Sequence, residues 1–212
     1  MMISTVSIMS CKRTPSFLED TVKSIPDNLN IEIFYQGDVN EISFDNINIK
    51  QVDYIEDAHR VHHNSQYNYA STLMNSKDGF IVEDDIEFSV NFSSHMADLN
   101  NLLDNMQCKY ALAIYSCYNW SKKGASLVDY PVEAFYGTQG MIYDIETARS
   151  FGNFLMGRIG VEPYDFALKT YIQEVDPDVR LLATGSSLIQ HRGDLSTGLG
   201  VFHKAPNFVD HL

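Results

Sequence analysis

Glu83, Asp84 and Asp85 stand side by side in the stretch FIVEDDIEF, residues 80–88, where a short apolar run ends. Three adjacent carboxylates repel one another unless water solvates them or a cation neutralises them. Hard carboxylate oxygens suit manganese or magnesium, and such ions commonly bridge protein carboxylates to substrate phosphates. The plain alternative is a solvated acidic loop ahead of a helix. His191, in LIQHRG, follows another apolar run; taken alone, such a histidine is more often a core or surface residue than a ligand. Lys12 and Arg13 in SCKRTPS supply cations, and arginine has the planar fork that pairs with phosphate oxygens. Gly137 and Gly140 flank Gln139 in YGTQG, where glycine either lets a backbone approach a ligand or makes an ordinary turn. His62 and His63, adjacent on an expected helix, point in different directions and make no metal site together, so both are expected at the surface. Cys117 and Trp120 in SCYNWSKKG could line a cleft, but nothing compels it, and the lysines there mark a solvated loop.

These groups need elements to hold them. The β-branched run MISTVSIMS predicts a first strand, IEIFYQ a second and INIKQV a short third. Thr14 and Pro15 have the types of an N-cap and a first-turn proline, predicting a helix with Phe17, Leu18 and Val22 inward that Pro26 closes. HRVHHNSQYNYASTLMNS predicts a helix with Val61, Tyr69, Leu73 and Met74 on or near one face. GFIV is continuously apolar, as in a strand buried on both faces. NFSSHMADLNNLLDNM spaces Met96, Leu99, Leu103 and Met106 as a helix would, and YALAIYS reads as a buried strand. GMIY is a short strand, Asp144 can cap the helix IETARSFGNFLM, and Pro163 can open the helix YDFALKTYI. VRLLAT and SSLIQH complete the strands. This alternation predicts an open α/β sheet with helices on both faces. Ligands of such sheets bind beyond the carboxyl ends of the strands. GFIV delivers the three acids there.

Composition sets wider bounds. With 212 residues, 44% hydrophobic and 20% charged, the chain suits one globular domain, 1–212, without repeats or linkers. A formal net charge of -13 argues against broad affinity for nucleic acid or anionic membrane, although it leaves room for a local basic cleft. No apolar run is long enough to span a bilayer, and the N-terminus reads as a strand and not a signal peptide. Cys11, Cys108 and Cys117 are odd in number and lack a CxxC pattern, predicting free thiols in a reducing cytosol.

VEDDIEFSVNFSSHM resembles the metal-binding segment of GT-A glycosyltransferases, and in particular of the N-acetylglucosaminyltransferase IV family. TVSIMSCKRTPSFLEDTVKSIPDNL, IFYQGDVN and RVHHNSQYNYASTLMN resemble segments that precede it in that family. FYGTQGMIYDIETARSF, EPYDFALKTYI and SSLIQHRGDLSTG resemble segments that follow it. The resemblance spans nearly the whole chain and implies a GT-A-type, Rossmann-like fold: a mixed, mainly parallel sheet flanked by helices on both faces. It also implies roles. Asp85 would bind the metal directly, His191 would be the second protein ligand, Asp84 would reach the ribose or donor sugar, and Glu83 would support the pocket. Asp165, in EPYDF at a helix start, would be the general base; the positive helix terminus would keep it ionised. The plain alternative for Asp165 is first-turn helix stabilisation, and the base is the favoured reading. Lys12 and Arg13 would sit where the nucleotide is seated. Arg60 and Asn64 would be further donor contacts, Asp38 would contact the uracil or make a turn, and Gln139 and Gly140 would line the donor-sugar or acceptor loop.

The function so implied is an inverting, manganese- or magnesium-dependent transfer of a sugar, N-acetylglucosamine by the family's habit, from a UDP-sugar to an acceptor hydroxyl. No membrane anchor or added sugar-binding domain is expected, which points to the cytoplasm of a bacterium or of a virus-infected cell. The acceptor would be a glycan, a small molecule or a modified base in DNA. Two other readings stand beside it. A sugar-nucleotide nucleotidyltransferase would use similar groups, but SCKRTPS lacks the glycines of its phosphate loop; a non-catalytic nucleotide-sugar binder would need no base.

Overall fold

The computed structural model describes residues 3–14, 16–55, 61–192 and 204–211, with the side chains of Val61, His62 and His211 left aside. Among the described residues, ten strands and five α-helices run in the order β1 (Thr5–Cys11), α1 (Leu18–Ser24), β2 (Asn30–Gln36), β3 (Asn48–Val52), α2 (Val61–Asn75), β4 (Phe80–Glu83), β5 (Ile86–Phe88), α3 (Phe92–Asp104), β6 (Tyr110–Ala113), β7 (Leu127–Asp129), β8 (Gly140–Tyr143), α4 (Ile145–Met156), α5 (Tyr164–Thr170), β9 (Arg180–Thr184) and β10 (Ile189–His191). Eight strands form one sheet in the order β3-β2-β1-β4-β8-β6-β9-β7. β1 pairs in parallel with β2 and β4, and β6 with β9, whereas β8 and β7 run against their neighbours. This is the mixed, mainly parallel α/β sheet that the sequence predicts. A separate two-stranded sheet pairs β10 with β5.

The period of two along each strand sorts side chains into two cores, one on each face. Phe80, Val82, Leu112 and Ile142 pack with Leu18 of α1 and with Phe92, Met96, Leu99 and Leu103 of α3. Ile81, Ala111, Ala113, Met141 and Tyr143 pack with Tyr69 and Leu73 of α2, Phe151 and Leu155 of α4, and Leu168 of α5. Alternation continued past Val82 gives Glu83 to the α2–α5 face.

Several elements differ from the sequence reading. α1 begins at Leu18, not at Thr14–Pro15, and Phe17 holds the N-cap position without a side-chain cap; Pro15 lies outside the described residues. Met106 follows α3 and is only partly buried. The expected strand SSLIQH shortens to β10 and leaves the main sheet to pair with β5, because the turn at Asp84–Asp85 carries the chain out of the sheet plane. Asp144 caps α4 as anticipated, accepting from Thr147 N–H at 2.9 Å. No helix among the described residues is long and apolar enough to cross a membrane.

Candidate active site

β1 has β2 on one side and β4 on the other, so the crevice between the carboxyl ends of β1 and β4 is the sheet's switch point. Arg13 emerges just beyond β1, and Glu83, Asp84 and Asp85 emerge from β4. On the α1 side, the buried Asp84 carboxylate accepts from the Ser10 hydroxyl at 2.6 Å and from Arg13 Nη2 at 2.5 Å. The Thr21 hydroxyl of α1 lies 2.8 Å from the carbonyl oxygens of both Asp84 and Ile86, pinning the turn. Burial pushes the Asp84 carboxyl up to about 6, against the opposing pull of Arg13.

On the other side, Glu83 accepts from the Tyr164 hydroxyl at 2.9 Å. Burial first, and then the neighbouring Asp85 charge, push its carboxyl up to about 7. Asp85 is buried, and its Oδ2 is 3.2 Å from Arg13 and 3.3 Å from His191 Nε2. Burial opposes its charge, but the His191 and Arg13 contacts outweigh that and hold the carboxyl below the usual carboxylate range. For His191 the signs reverse: burial lowers its pKa, and Asp85 more than restores it.

Pairing of β10 with β5 explains how a residue so distant in sequence arrives here. His191 lies in register with Ile86, next to Asp85, and Arg192 N–H donates to the Asp85 carbonyl at 2.7 Å. Glu83, Asp85 and His191 each bring one ligand atom to within 4.8 Å of the others. The second Asp85 oxygen, Oδ1, is buried without a hydrogen-bond partner among the described residues. Two carboxylates and an imidazole fit a divalent ion such as manganese, and the unpartnered oxygen is an acceptor that no described residue satisfies.

Asp165 sits in the first turn of α5, mostly buried, where its carboxylate accepts from Phe166 N–H at 3.0 Å. Its pKa is raised by burial, against backbone N–H donors of the helix start and of Gly137 that favour the ionised form. A raised carboxylate is a better proton acceptor near neutrality. Tyr164, one residue earlier, stacks on Tyr69 with ring centroids 4.7 Å apart and reaches Glu83. Tyr136 lies near both acids: burial and then the charges of Asp165, Cys117 and Glu83 raise its phenol.

The remaining sequence candidates divide. Gln139 joins the cluster: its carbonyl accepts from Glu83 N–H at 3.0 Å, and its Oε1 is buried without a partner. Gly140 is a packing glycine, since a Cβ there would run into Ile189 and Ile114. Lys12 points away, pairing at the surface with Glu41 at 2.6 Å. Asp38 caps a short 3-10 turn by accepting from Asn40 N–H at 2.9 Å. Asn64 accepts from Ile55 N–H at 2.8 Å and so ties the chain after β3 to α2. Arg60 lies outside the described residues. Half-buried His63 packs beside Gly160, and Trp120 packs on Tyr118 and Tyr130. Cys11, Cys108 and Cys117 are free thiols. An open hollow of about 340 Å³ lies at the opposite end of the sheet, lined by Thr5, Asn30, Asn48 and Lys77 among others, far from this chemistry.

Sequence reasoning passed over Ser10, Thr21 and Tyr164. Strand alternation carried the signal for Ser10, which follows Val6 and Ile8 on the α1 face. Tyr164 was visible only as the neighbour of Asp165.

No family model matches the chain, and no curated protein sequence does. Among solved structures it is similar to the apo form of the glycosyltransferase GlyE of Streptococcus pneumoniae TIGR4, with a TM-score of 0.49 and 12% identity over 81% of this chain and 43% of that one. A second structure of that glycosyltransferase gives 0.49 and 11% over 85% and 45%. The chain spans less than half the length of either.

Proposed function

We propose that this protein is a metal-dependent glycosyltransferase that moves a sugar from a UDP-sugar, N-acetylglucosamine by the sequence resemblance, to an acceptor hydroxyl with inversion. The supporting observation is the meeting of Glu83, Asp85 and His191 beyond the carboxyl end of β4, with one Asp85 oxygen buried and unpartnered. Asp85 and His191 would hold the cation, with Glu83 as a third ligand. When bound, a divalent manganese or magnesium ion supplies charge neutralisation for the departing nucleoside diphosphate.

The chain's own residues supply the rest. Tyr164 donates to Glu83 and fixes the start of α5, so the base and the acid cluster share one rigid connection. Asp165 takes the proton from the acceptor hydroxyl as that oxygen attacks the anomeric carbon. Its raised pKa keeps the proton it gains from being lost too readily. Ser10 and Arg13 orient Asp84 toward the nucleotide side of the crevice.

The test is incubation with manganese and a panel of nucleotide sugars, reading nucleoside diphosphate released to water. Hydrolysis of one donor that disappears in Asp85→Ala supports the reading. In a parallel incubation with nucleoside triphosphates and a sugar 1-phosphate, release of pyrophosphate with formation of the nucleotide sugar would instead make the protein a nucleotidyltransferase. Metal-independent hydrolysis in Asp85→Ala would overturn the metal assignment. An acceptor panel of glycans, small alcohols and duplex DNA carrying hydroxymethylated bases then separates the acceptor classes.

A further inference from the structure

Arg13 is the one cation among the described residues that touches both aspartates of the turn. Its Nη2 reaches Asp84 Oδ1 at 2.5 Å and Asp85 Oδ2 at 3.2 Å, and Nη1 reaches the same Asp85 oxygen at 3.2 Å. The guanidinium therefore already does, in part, what a bound cation would do: it neutralises the pair. It does so from one side only, because Asp85 Oδ1 stays unpartnered beyond its reach.

Part of the guanidinium is uncommitted: among the described residues its Nε is buried without a hydrogen-bond partner, the Phe17 ring lies 5.2 Å from its Cζ, and 24% of its side chain is exposed. A planar fork with an unused donor can exchange carboxylates for phosphate oxygens without losing hydrogen bonds. A divalent ion on Asp85 would share one carboxylate with a fixed positive charge while Arg13 stays in place, and like charges so close disfavour each other.

Resting on the metal reading given above, we propose that Arg13 is an internal counter-cation. It holds down the metal affinity of the free protein and passes its guanidinium to the donor's diphosphate, so that cation and nucleotide bind as a unit. Arg13 is thus a positioning residue for the acid cluster before it is a donor contact. Coupling of this kind is reciprocal: whatever factor the diphosphate adds to metal affinity, the metal adds to diphosphate affinity.

The experiment titrates manganese, by the electron paramagnetic resonance of the free ion, into wild type, Arg13→Gln and Arg13→Lys. Each is measured alone and with UDP, GDP, ADP or TDP. Wild type is expected to bind manganese weakly alone and about tenfold or more tighter with one diphosphate, within the roughly 5–150-fold span usual for such coupling. Arg13→Gln is expected to bind manganese alone about tenfold tighter than wild type and to gain less from the diphosphate. Arg13→Lys, which can reach one carboxylate but not bridge both, should fall between; it also serves if the glutamine variant does not fold. Affinity of Arg13→Gln or Arg13→Lys for manganese alone that equals or falls below the wild-type value overturns the inference while leaving the metal site standing. Failure of wild type to bind manganese with any diphosphate removes the metal reading itself and this inference with it.

Discussion

Two ends of the same sheet treat buried carboxylates in opposite ways. At the amino end, Asp78 accepts from both the Ser4 backbone N–H at 2.8 Å and the Ser4 hydroxyl at 3.0 Å, locking the start of β1 to the turn before β4. Asp144 does similar work where α4 starts, accepting from Thr147 N–H and Tyr110 N–H. At the carboxyl end, Asp85 has charged partners on one oxygen and, among the described residues, none on the other, while Glu83 and Asp84 are driven toward the protonated form by burial. A carboxylate whose partners are neutral donors fixed by the fold is structural. One that sits among other acids with acceptor capacity left over has room for a donor or cation from outside.

The sharpest way to break that contrast is to remove one acid from each end. Asp85→Ala should abolish manganese binding and donor hydrolysis and also lower the melting temperature near neutral pH, because a carboxyl held below the usual range stabilises the fold when ionised, and Arg13 and His191 lose their acceptor. Asp78→Ala should leave metal binding intact but cost about 1–3 kcal/mol by stranding the Ser4 N–H. That is a fall of several degrees in a chain of this size. The pair is read by calorimetry alongside manganese titration. Should Asp78→Ala weaken manganese binding as much as Asp85→Ala, the two ends would not be functionally separate.

A smaller effect is expected one helix away. Asp165→Asn keeps the size of the side chain and an oxygen that can still accept from Phe166 N–H, so the fold and donor binding should persist. Turnover onto acceptor should fall by about 10²–10⁴-fold, the usual worth of a positioned base. A steady-state assay beside a donor-binding titration separates the two quantities. Equal loss of donor affinity and turnover would place Asp165 with the structural acids of the amino end.

How much of this could be read from sequence follows from which forces are local. β4 was legible because an unbroken apolar run needs only burial to become a strand, and α4 because Asp144 and the helical spacing beyond it are local signals. The meeting of Asp85 with His191 was visible through family resemblance alone. Its physical basis is the pairing of three residues with three, too short for any hydrophobic period and joined across most of the second half of the chain. β5 and β7 escaped notice for the same reason. Lys12 and Arg13 show the limit of residue type: adjacent cations after one strand point in opposite directions, one to Glu41 at the surface and one into the acids. Nothing in their identities distinguishes them, and alternation along β1 does not either, since it would put Lys12 and not Arg13 on the Ser10 side.

Glu83 gives the finest test, because its titration should run against the common pattern. Its carboxyl is raised from 4.5 to about 7, so between those values the folded chain keeps a proton that the unfolded chain has released. Stability from this group is therefore full below pH 4.5, declines as pH rises and levels off above about 7. Most paired carboxylates do the reverse and lose stability as acid is added. Other groups contribute their own slopes, so the readout is the difference in melting temperature between wild type and Glu83→Gln, which keeps an acceptor for Tyr164 and cannot ionise. That difference should move in favour of Glu83→Gln by several degrees from pH 4.5 to 7 and then stay constant. Manganese should reverse it above pH 7, stabilising wild type more than the glutamine variant. A flat difference curve would mean that the Glu83 charge is satisfied without a cation, which would erase the distinction between the two ends of the sheet.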